Sequence, residues 1–218
     1  MALAKCVQLA ESRTIIASAT EMKAMSTTMM KPRPYTPRPW QLTHMLATPV
    51  GGTVLIVERC EEQPDDEIRR HDDGRFYTLE DGDLAIPLGP VGTVLACKEA
   101  LRGDGFPGTQ KRKGIARYAI DGEMVLVNGQ DHLWYAKRPT ITAKRMPLDW
   151  ARLFFRTTAI DLRQTDSMTG DDANAAGVRH CNGQLALDVF VTMWLIDNPG
   201  ATWGDCAWFI TAERVERA

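Results

Sequence analysis

Short apolar runs rich in β-branched residues recur along the chain and predict strands rather than long helices. The runs at 116–120 and 124–127 flank Asp121-Gly122, a two-residue hairpin signal. Within 152–162 the apolar face switches partway along the run, which predicts a bulge that bends the strand, as a small barrel requires. The complete set of predicted strands is 53–57, 93–97, 116–120, 124–127, 152–162 and 206–215.

Helical signals are fewer and lie mostly late in the chain. A short stretch at 41–47 precedes the first strand, and Thr169 with Asp172 predicts a capping box for a helix over 170–176. Apolar residues at i, i+3, i+4 and i+7 predict an amphipathic helix over 184–196. Because strands and helices do not alternate regularly, the pattern predicts an α+β fold, a small mixed β-barrel with two or three flanking helices.

The N-terminal part differs from the rest in composition. Residues 1–29 fit either a loose helix or a disordered leader, and the strap Lys31–Pro39 holds four prolines in nine residues, which favours an extended chain. We therefore expect a leader and strap at 1–39 and one domain at 40–218. An acidic insertion near 58–75 interrupts that domain.

Composition excludes several classes of protein. Apolar residues make up 44% of the chain and charged residues 25%, as in an average soluble domain. No apolar run is long enough to span a bilayer, so we expect a cytoplasmic protein. The five scattered cysteines predict neither a disulfide nor a zinc site, and no cofactor is expected.

Charge is unevenly distributed although the net charge is only -2. Residues 58–73 carry eight acids and three bases, and this run is predicted to be exposed, whereas 132–148 hold four bases and no acid. Aromatic and basic residues side by side suit stacking on unpaired bases with phosphate contacts. The alternatives are a solvated basic face and a core role for the tryptophan. The residues concerned are Trp134, Tyr135, Lys137, Arg138, Lys144 and Arg145.

Several segments, in order, resemble the ASCH family of PUA-like β-barrel proteins, in the variant common among phage genes. Gly89-Pro-Val-Gly-Thr-Val-Leu-Ala-Cys-Lys-Glu99 is similar to a "G-x-x-G-D-x-L-W-V-R-E" strand, and Met146-Pro-Leu-Asp-Trp-Ala-Arg-Leu153 to an "M-P-x-x-A-S-R-L" step. Residues 169–178 resemble an "S-E-E-D-A-x-x-E-G-V" helix, and 203–215 a closing "W-V-W-V-I-E-F-x-x-V" strand. The resemblance covers roughly residues 85–217 and implies a PUA-like barrel.

The departures from the family bear on activity. ASCH amidohydrolases, which act on an acetylated cytidine nucleoside, use a Lys and a Thr of an early loop and a Glu of the later helix. Here no lysine stands beside Thr53, and Ala176 occupies the position of that Glu. The resemblance therefore implies the fold and a pocket, but argues against this amide hydrolysis, and no residue is assigned a catalytic role.

The resemblance also implies candidate ligand-binding residues, namely Lys98, Glu99, Arg152 and Thr53. Lys98 and Glu99 end a strand, so one of them would face the barrel mouth and recognise a base edge or a phosphate. The alternative is that the two residues form a surface pair. The Arg152 guanidinium would either hold a phosphate or carboxylate, or pin the neighbouring loop. His44 and His180 are further candidates for proton transfer, and His180-Cys181 alone is weak evidence for a dyad.

Three functions follow from these patterns. The first is a non-catalytic phage or prophage module that binds RNA, a modified base or a nucleotide. The second is a nucleoside amidohydrolase-like enzyme with relocated groups, using Glu99, Lys98 or His180. The third is an interaction module that contacts a host or phage protein through the strap or the acidic segment.

Overall fold

The computed structural model describes residues 31–61, 63–64, 68–78, 82–104, 114–134, 138–180 and 184–217. These residues belong to one unit that begins at Lys31. The predicted leader at 1–29 lies outside the described residues. Within these ranges no helix is long and apolar enough to cross a membrane.

Fourteen strands and three α-helices make up the described part of the chain. The helices are α1 (Pro39–Ala47), α2 (Gly170–Ala175) and α3 (Ala186–Asp197). The strands are β1 (Arg33–Tyr35), β2 (Thr53–Arg59), β3 (Arg69–Arg70), β4 (Phe76–Thr78), β5 (Gly82–Leu84), β6 (Val94–Cys97), β7 (Leu101–Gly103), β8 (Gly114–Tyr118), β9 (Leu126–Val127), β10 (Gln130–Asp131), β11 (Leu133–Trp134), β12 (Thr140–Ile141), β13 (Phe154–Gln164) and β14 (Cys206–Val215).

The main sheet has five strands in the order β1-β6-β13-β14-β2. Strand β1 is parallel to β6, and the other neighbours are antiparallel. The register of β13 against β14 shifts between Thr157 and Ala159, which confirms the predicted bulge. The sheet takes in Arg33–Tyr35, so part of the strap belongs to the fold.

The main sheet buries both of its faces. One face packs against α1 and against the small β3-β4-β5 sheet through Leu42, Met45 and Phe76. At the β2 and β14 end, the other face packs against α2 and α3 through Phe190 and Trp194. This arrangement is an α+β domain, as predicted.

A second sheet, in the order β11-β8-β7-β12, packs beside β6 and the start of β13. The predicted hairpin at Asp121-Gly122 is present between β8 and the bridge at Met124. The loop was predicted to have two residues and has four, because the Tyr118 amide donates to the Glu123 carbonyl and encloses residues 119–122. β12 is an edge strand of this sheet, which leaves one side of it open.

The helical predictions are confirmed with small shifts at their ends. Thr169 and Asp172 form the predicted capping box, in which the Thr169 hydroxyl accepts from the Asp172 amide at 3.2 Å. Gly177 follows the C-cap of α2, where its φ of +97° favours glycine and an added Cβ would come within 2.5 Å of the His44 Cβ. α1 begins at Pro39, a position that suits proline because the first helical amide needs no partner.

The hydrogen-bonded strands of the main sheet leave β1 and β2 as its two edges. These edges nevertheless approach each other on the concave side, where the Tyr35 hydroxyl lies 3.4 Å from Glu58 Oε1. The sheet is therefore curled like a half-barrel, with α1 and its polar side chains across the gap.

Candidate ligand-binding site

A cavity of about 320 Å³ opens where β6 ends. One wall comes from the strap and α1, the second from the loop that joins β6 to β7, and the third from the hairpin after β8. Most of its lining is apolar, and Lys98 supplies a cationic group. The lining residues are Pro37, Pro39, Leu42, Lys98, Glu99, Ala100, Ala119, Ile120 and Ala143.

Lys98 and Glu99 directly follow β6 and are fixed by backbone contacts. The Lys98 amide donates to the Tyr35 carbonyl at 2.7 Å, and the Glu99 amide points to the Met146 sulfur at 3.3 Å. The Lys98 ammonium donates to the carbonyl of Lys144. An ammonium has three donors, so this contact leaves two for a ligand.

Glu99 is fully buried, with 0% of its surface exposed, and forms a two-point pair with Arg152. Arg152 Nε lies 2.9 Å from Glu99 Oε1, and Arg152 Nη2 lies 2.7 Å from Glu99 Oε2. Burial raises the pKa of Glu99, while the Arg152 hydrogen bonds and charge oppose that rise. A guanidinium held in this fork-to-fork manner is fixed in orientation as well as in charge.

Arg152 contacts two more carboxylates and an aromatic ring. Its Nη2 lies 2.7 Å from Asp121 Oδ2, its Nη1 pairs with Glu123, and its Cζ lies 3.8 Å from the centre of the Tyr118 ring. Partial burial alone would raise the pKa of Asp121, but hydrogen bonds from the Glu123 amide and Arg152 lower it. Arg152 therefore joins the loop of Glu99 to the hairpin, which are two walls of the cavity. This contact set favours the loop-pinning alternative for Arg152.

Exposed bases lie beside the cavity. Arg138, Lys144 and Arg145 flank the edge strand β12, and we call these three residues the basic edge. None of them has an acidic partner among the described residues. Lys144 also accepts the hydrogen bond from Lys98 through its carbonyl, so the basic edge begins at the cavity.

The tryptophan proposed for base stacking does not lie on the basic edge. Trp134 is 1% exposed, and its indole packs over Gly103 so closely that a Cβ there would come within 2.5 Å of the ring. A ring buried in this way cannot stack on a base, so Trp134 belongs to the core and its assignment to nucleic-acid binding is corrected. Tyr135 and Lys137 lie outside the described residues.

The structure places Thr53 and the histidines away from the cavity lining. Thr53 begins β2, three strands from β6, and faces Glu213 of β14 in the register. His44 packs between α1 and α2, where burial lowers its pKa. His180 is exposed after α2, and Cys181 lies outside the described residues. Ala176 is buried against the main sheet.

The sequence did not predict the positions of two sets of polar residues. The first set, Asp121, Glu123 and Tyr118, surrounds Arg152. The sequence predicted the hairpin in which these residues lie, but it did not predict that they contact Arg152. Glu58 was grouped with the exposed acidic run, yet it points into the concave face of the main sheet. Alternation provides the missed signal, because Glu58 follows the buried Val54 and Ile56 at two-residue spacing.

In the part of the chain that the structure describes, no group of three or more His, Cys, Asp or Glu side chains is arranged to hold a metal ion. The carboxylates of Glu99, Asp121 and Glu123 instead converge on a guanidinium. Comparisons with protein-family models, with curated proteins and with solved structures find no match to this chain.

Proposed function

We propose that this protein is a non-catalytic, PUA-like module of the ASCH type that binds a nucleotide in the cavity at the end of β6. The nucleotide is either free or an unpaired, normal or modified residue of an RNA chain. The setting implied by the resemblance is a phage or prophage. The observation that carries this proposal is the apolar cavity with Lys98 in its wall and the basic edge at its rim.

The cavity suits a flat ring with a phosphate. A volume of about 320 Å³ lies at the lower end of the range of small-molecule pockets. Proline, leucine and alanine side chains offer flat apolar contact to a base, and the two remaining donors of the Lys98 ammonium suit a phosphate oxygen. Arg152 offsets one of the three carboxylate charges that surround it, so the cluster of Glu99, Asp121 and Glu123 repels an anionic ligand less than it would without the guanidinium.

The basic edge extends this site toward a longer ligand. Arg138, Lys144 and Arg145 are exposed and adjoin the cavity through Lys144. Unpaired cations at a surface attract phosphates in a salt-dependent way. A single strand with one nucleotide in the cavity would therefore lay its backbone along this edge.

The same geometry gives an amidohydrolase less support. A general base must reach the reacting atom, and Glu99 is 0% exposed with its charge paired to Arg152. Burial raises the pKa of Tyr118 to about 12, which makes it a poor acid at neutral pH. His180 is exposed after α2 and does not line the cavity.

The positions of the segments that resemble the ASCH family support the proposal further. The segment that ends in Lys98 and Glu99 meets the segment from Met146 to Arg152 at one wall of the cavity. Separate stretches of the resemblance thus build one site.

Binding of 5′-nucleoside monophosphates tests the proposal, measured by calorimetry with the nucleosides and inorganic phosphate for comparison. Lys98→Ala should weaken binding of the monophosphates about tenfold, the loss typical of one charge-assisted hydrogen bond, and leave nucleoside binding nearly unchanged. Lys31→Ala is the matched control, because Lys31 is exposed and precedes the opposite end of the β1–β6 ladder. Equal loss in both variants, or no binding by the wild type, would contradict the proposal.

A further inference from the structure

One wall of the cavity is made by a segment that joins the main sheet through few backbone contacts. Pro37 and Pro39 of the strap, with Leu42 of α1, face Lys98 and the hairpin across the cavity. β1, which precedes this wall, pairs with β6 over three residues. Tyr35, Leu42 and Met45 are also buried in the main core, and side-chain polar contacts add to that burial in holding the wall.

The first of these contacts crosses the open side of the curled sheet. The Tyr35 hydroxyl has one proton to donate, and it lies 3.0 Å from Gln41 Oε1 of α1 and 3.4 Å from Glu58 Oε1 of the far edge strand β2. The hydrogen bond to Gln41 is the shorter, and Glu58 is a second, longer contact. Gln41 also accepts from the Arg38 amide at 3.1 Å. Burial, followed by the neighbouring Glu58 charge, raises the pKa of Tyr35, so its hydroxyl keeps the proton that it donates.

The second contact ties the same segment to the end of α3. Arg38 Nη1 lies 2.8 Å from Asp197 Oδ2, and Trp40 Nε1 lies 3.4 Å from the same oxygen. Arg38 also lies over the Trp194 ring at 5.9 Å. The residues on either side of Pro39 are therefore held by one carboxylate.

We propose that the strap and α1 form a clamp whose closed position sets the affinity of the cavity. Glu58 and Asp197 act as positioning residues for this clamp, although neither lines the cavity. This inference rests on the proposed function, because the clamp would regulate access to the same cavity.

The physical basis is linkage between clamp closure and ligand binding. A ligand that contacts Pro37 and Pro39 binds the closed clamp more tightly than the open one, so it must also stabilise closure. Conversely, a change that opens the clamp reduces the competent fraction and weakens binding by that fraction. Opening is measurable without ligand, because the Lys98 amide donates to Tyr35 and exchanges with solvent when β1 leaves.

Hydrogen exchange at the Lys98 amide tests the clamp, measured on the full chain with and without 5′-AMP. Glu58→Ala and Asp197→Ala should each speed this exchange about fivefold, the factor expected for one lost hydrogen bond, and the double variant should speed it further. The double variant should also bind 5′-AMP more weakly. In the wild type, 5′-AMP at ten times its Kd should slow the exchange about tenfold.

Matched control variants distinguish a local effect on the clamp from a loss of overall stability. Glu213→Ala removes an acid from β14, the neighbour of β2, and Asp188→Ala removes an exposed acid from the other end of α3. Both should leave the exchange of the Lys98 amide unchanged. Glu58→Gln should exchange no faster than the wild type, because its amide oxygen still accepts from Tyr35. If Glu58→Ala does not fold, Tyr35→Phe, which removes only the hydroxyl, replaces it.

The outcomes distinguish this inference from the proposed function. If the wild type binds 5′-AMP but the Glu58 and Asp197 variants exchange and bind as the controls do, the clamp is wrong and the proposed function stands. If the wild type binds no nucleotide, the proposed function is wrong and the clamp inference fails with it. The clamp is supported if the Glu58 and Asp197 variants exchange faster and bind more weakly while the control variants do not.

Discussion

Two groups of basic side chains lie within one part of this molecule, and their surroundings differ. Arg152 is mostly buried, pairs with Glu99, Asp121 and Glu123, and lies over the Tyr118 ring. The basic edge, Arg138, Lys144 and Arg145, is exposed and has no acidic partner among the described residues. Both groups were candidates for ligand binding on the basis of sequence.

The difference shows that the partners of a cation, and not its charge, indicate its role. A buried guanidinium whose donors already meet carboxylates holds protein segments together, and removing it leaves a buried charge without a partner. An exposed cation without an acidic partner can contact a phosphate without first breaking an ion pair. Under the proposed function, Arg152 joins the walls of the cavity and the basic edge contacts the ligand.

The largest expected effect is on stability. Arg152→Ala should lower the free energy of unfolding by about 3–5 kcal/mol, because Glu99 is then buried without its partner. Urea denaturation followed by tryptophan fluorescence measures this loss.

Arg156→Ala is the control for this prediction, since Arg156 is exposed on β13 and has no ion pair among the described residues. We expect it to change stability by no more than about 0.5 kcal/mol. Similar effects of the two substitutions would mean that the Arg152 cluster does not join the cavity walls.

A smaller effect is expected at Trp134. Trp134→Phe should lower the free energy of unfolding by about 1–2 kcal/mol, because the smaller ring leaves a gap over Gly103. RNA affinity should not change, because the indole is buried. Fluorescence anisotropy with labelled RNA checks this. A marked loss of affinity in a folded Trp134→Phe variant would mean that Trp134 contacts RNA.

The smallest effect concerns pH and the clamp. Burial raises the pKa of Glu58, while Arg38 and the Tyr35 hydroxyl, the groups that face it, oppose the rise. A raised pKa in the folded state means that the contribution of Glu58 to stability is complete below its unfolded pKa, about 4.3. That contribution is lost as the pH rises through the folded pKa.

Glu58→Gln removes this titration and should therefore flatten the pH dependence. Its melting temperature relative to the wild type should rise as the pH increases from 4 to 8. Thermal melts at both pH values measure this, and a relative melting temperature that falls with pH would show that Glu58 is stabilised as a carboxylate.

Local patterns predicted most of the elements of the fold. Alternation and β-branched content placed β2 and β14 almost to the residue, and the switch of apolar face placed the bulge in β13. These features depend on neighbours in the sequence, so the sequence displays them. Strand β1, in the strap, was not predicted. Its prolines disfavour a strand, and the three-residue pairing at the edge of the sheet depends on β6, which is distant in the sequence.

Long-range partners account for what sequence reasoning missed in the site. Arg152 and Glu99 were both named, but their pairing spans 53 positions and no local pattern shows it. Trp134 was ambiguous because a tryptophan beside bases fits a core and a surface equally well. Glu58 was misjudged because its acidic neighbours in sequence outweighed its place in the alternation of β2.

The salt dependence of RNA affinity tests whether the basic edge contacts phosphates. A labelled single-stranded RNA is titrated at two salt concentrations with the wild type and with the Arg138, Lys144, Arg145 triple alanine variant. The control is the Lys31, Arg156, Arg179 triple alanine variant, which removes the same charge from exposed positions elsewhere. We predict that the basic-edge variant lowers the slope of log affinity against log salt by about 2, as three lost contacts to a single strand require, and that the control keeps the wild-type slope. Equal slopes for the two variants, or no RNA binding by the wild type, would contradict contact between the basic edge and an RNA backbone.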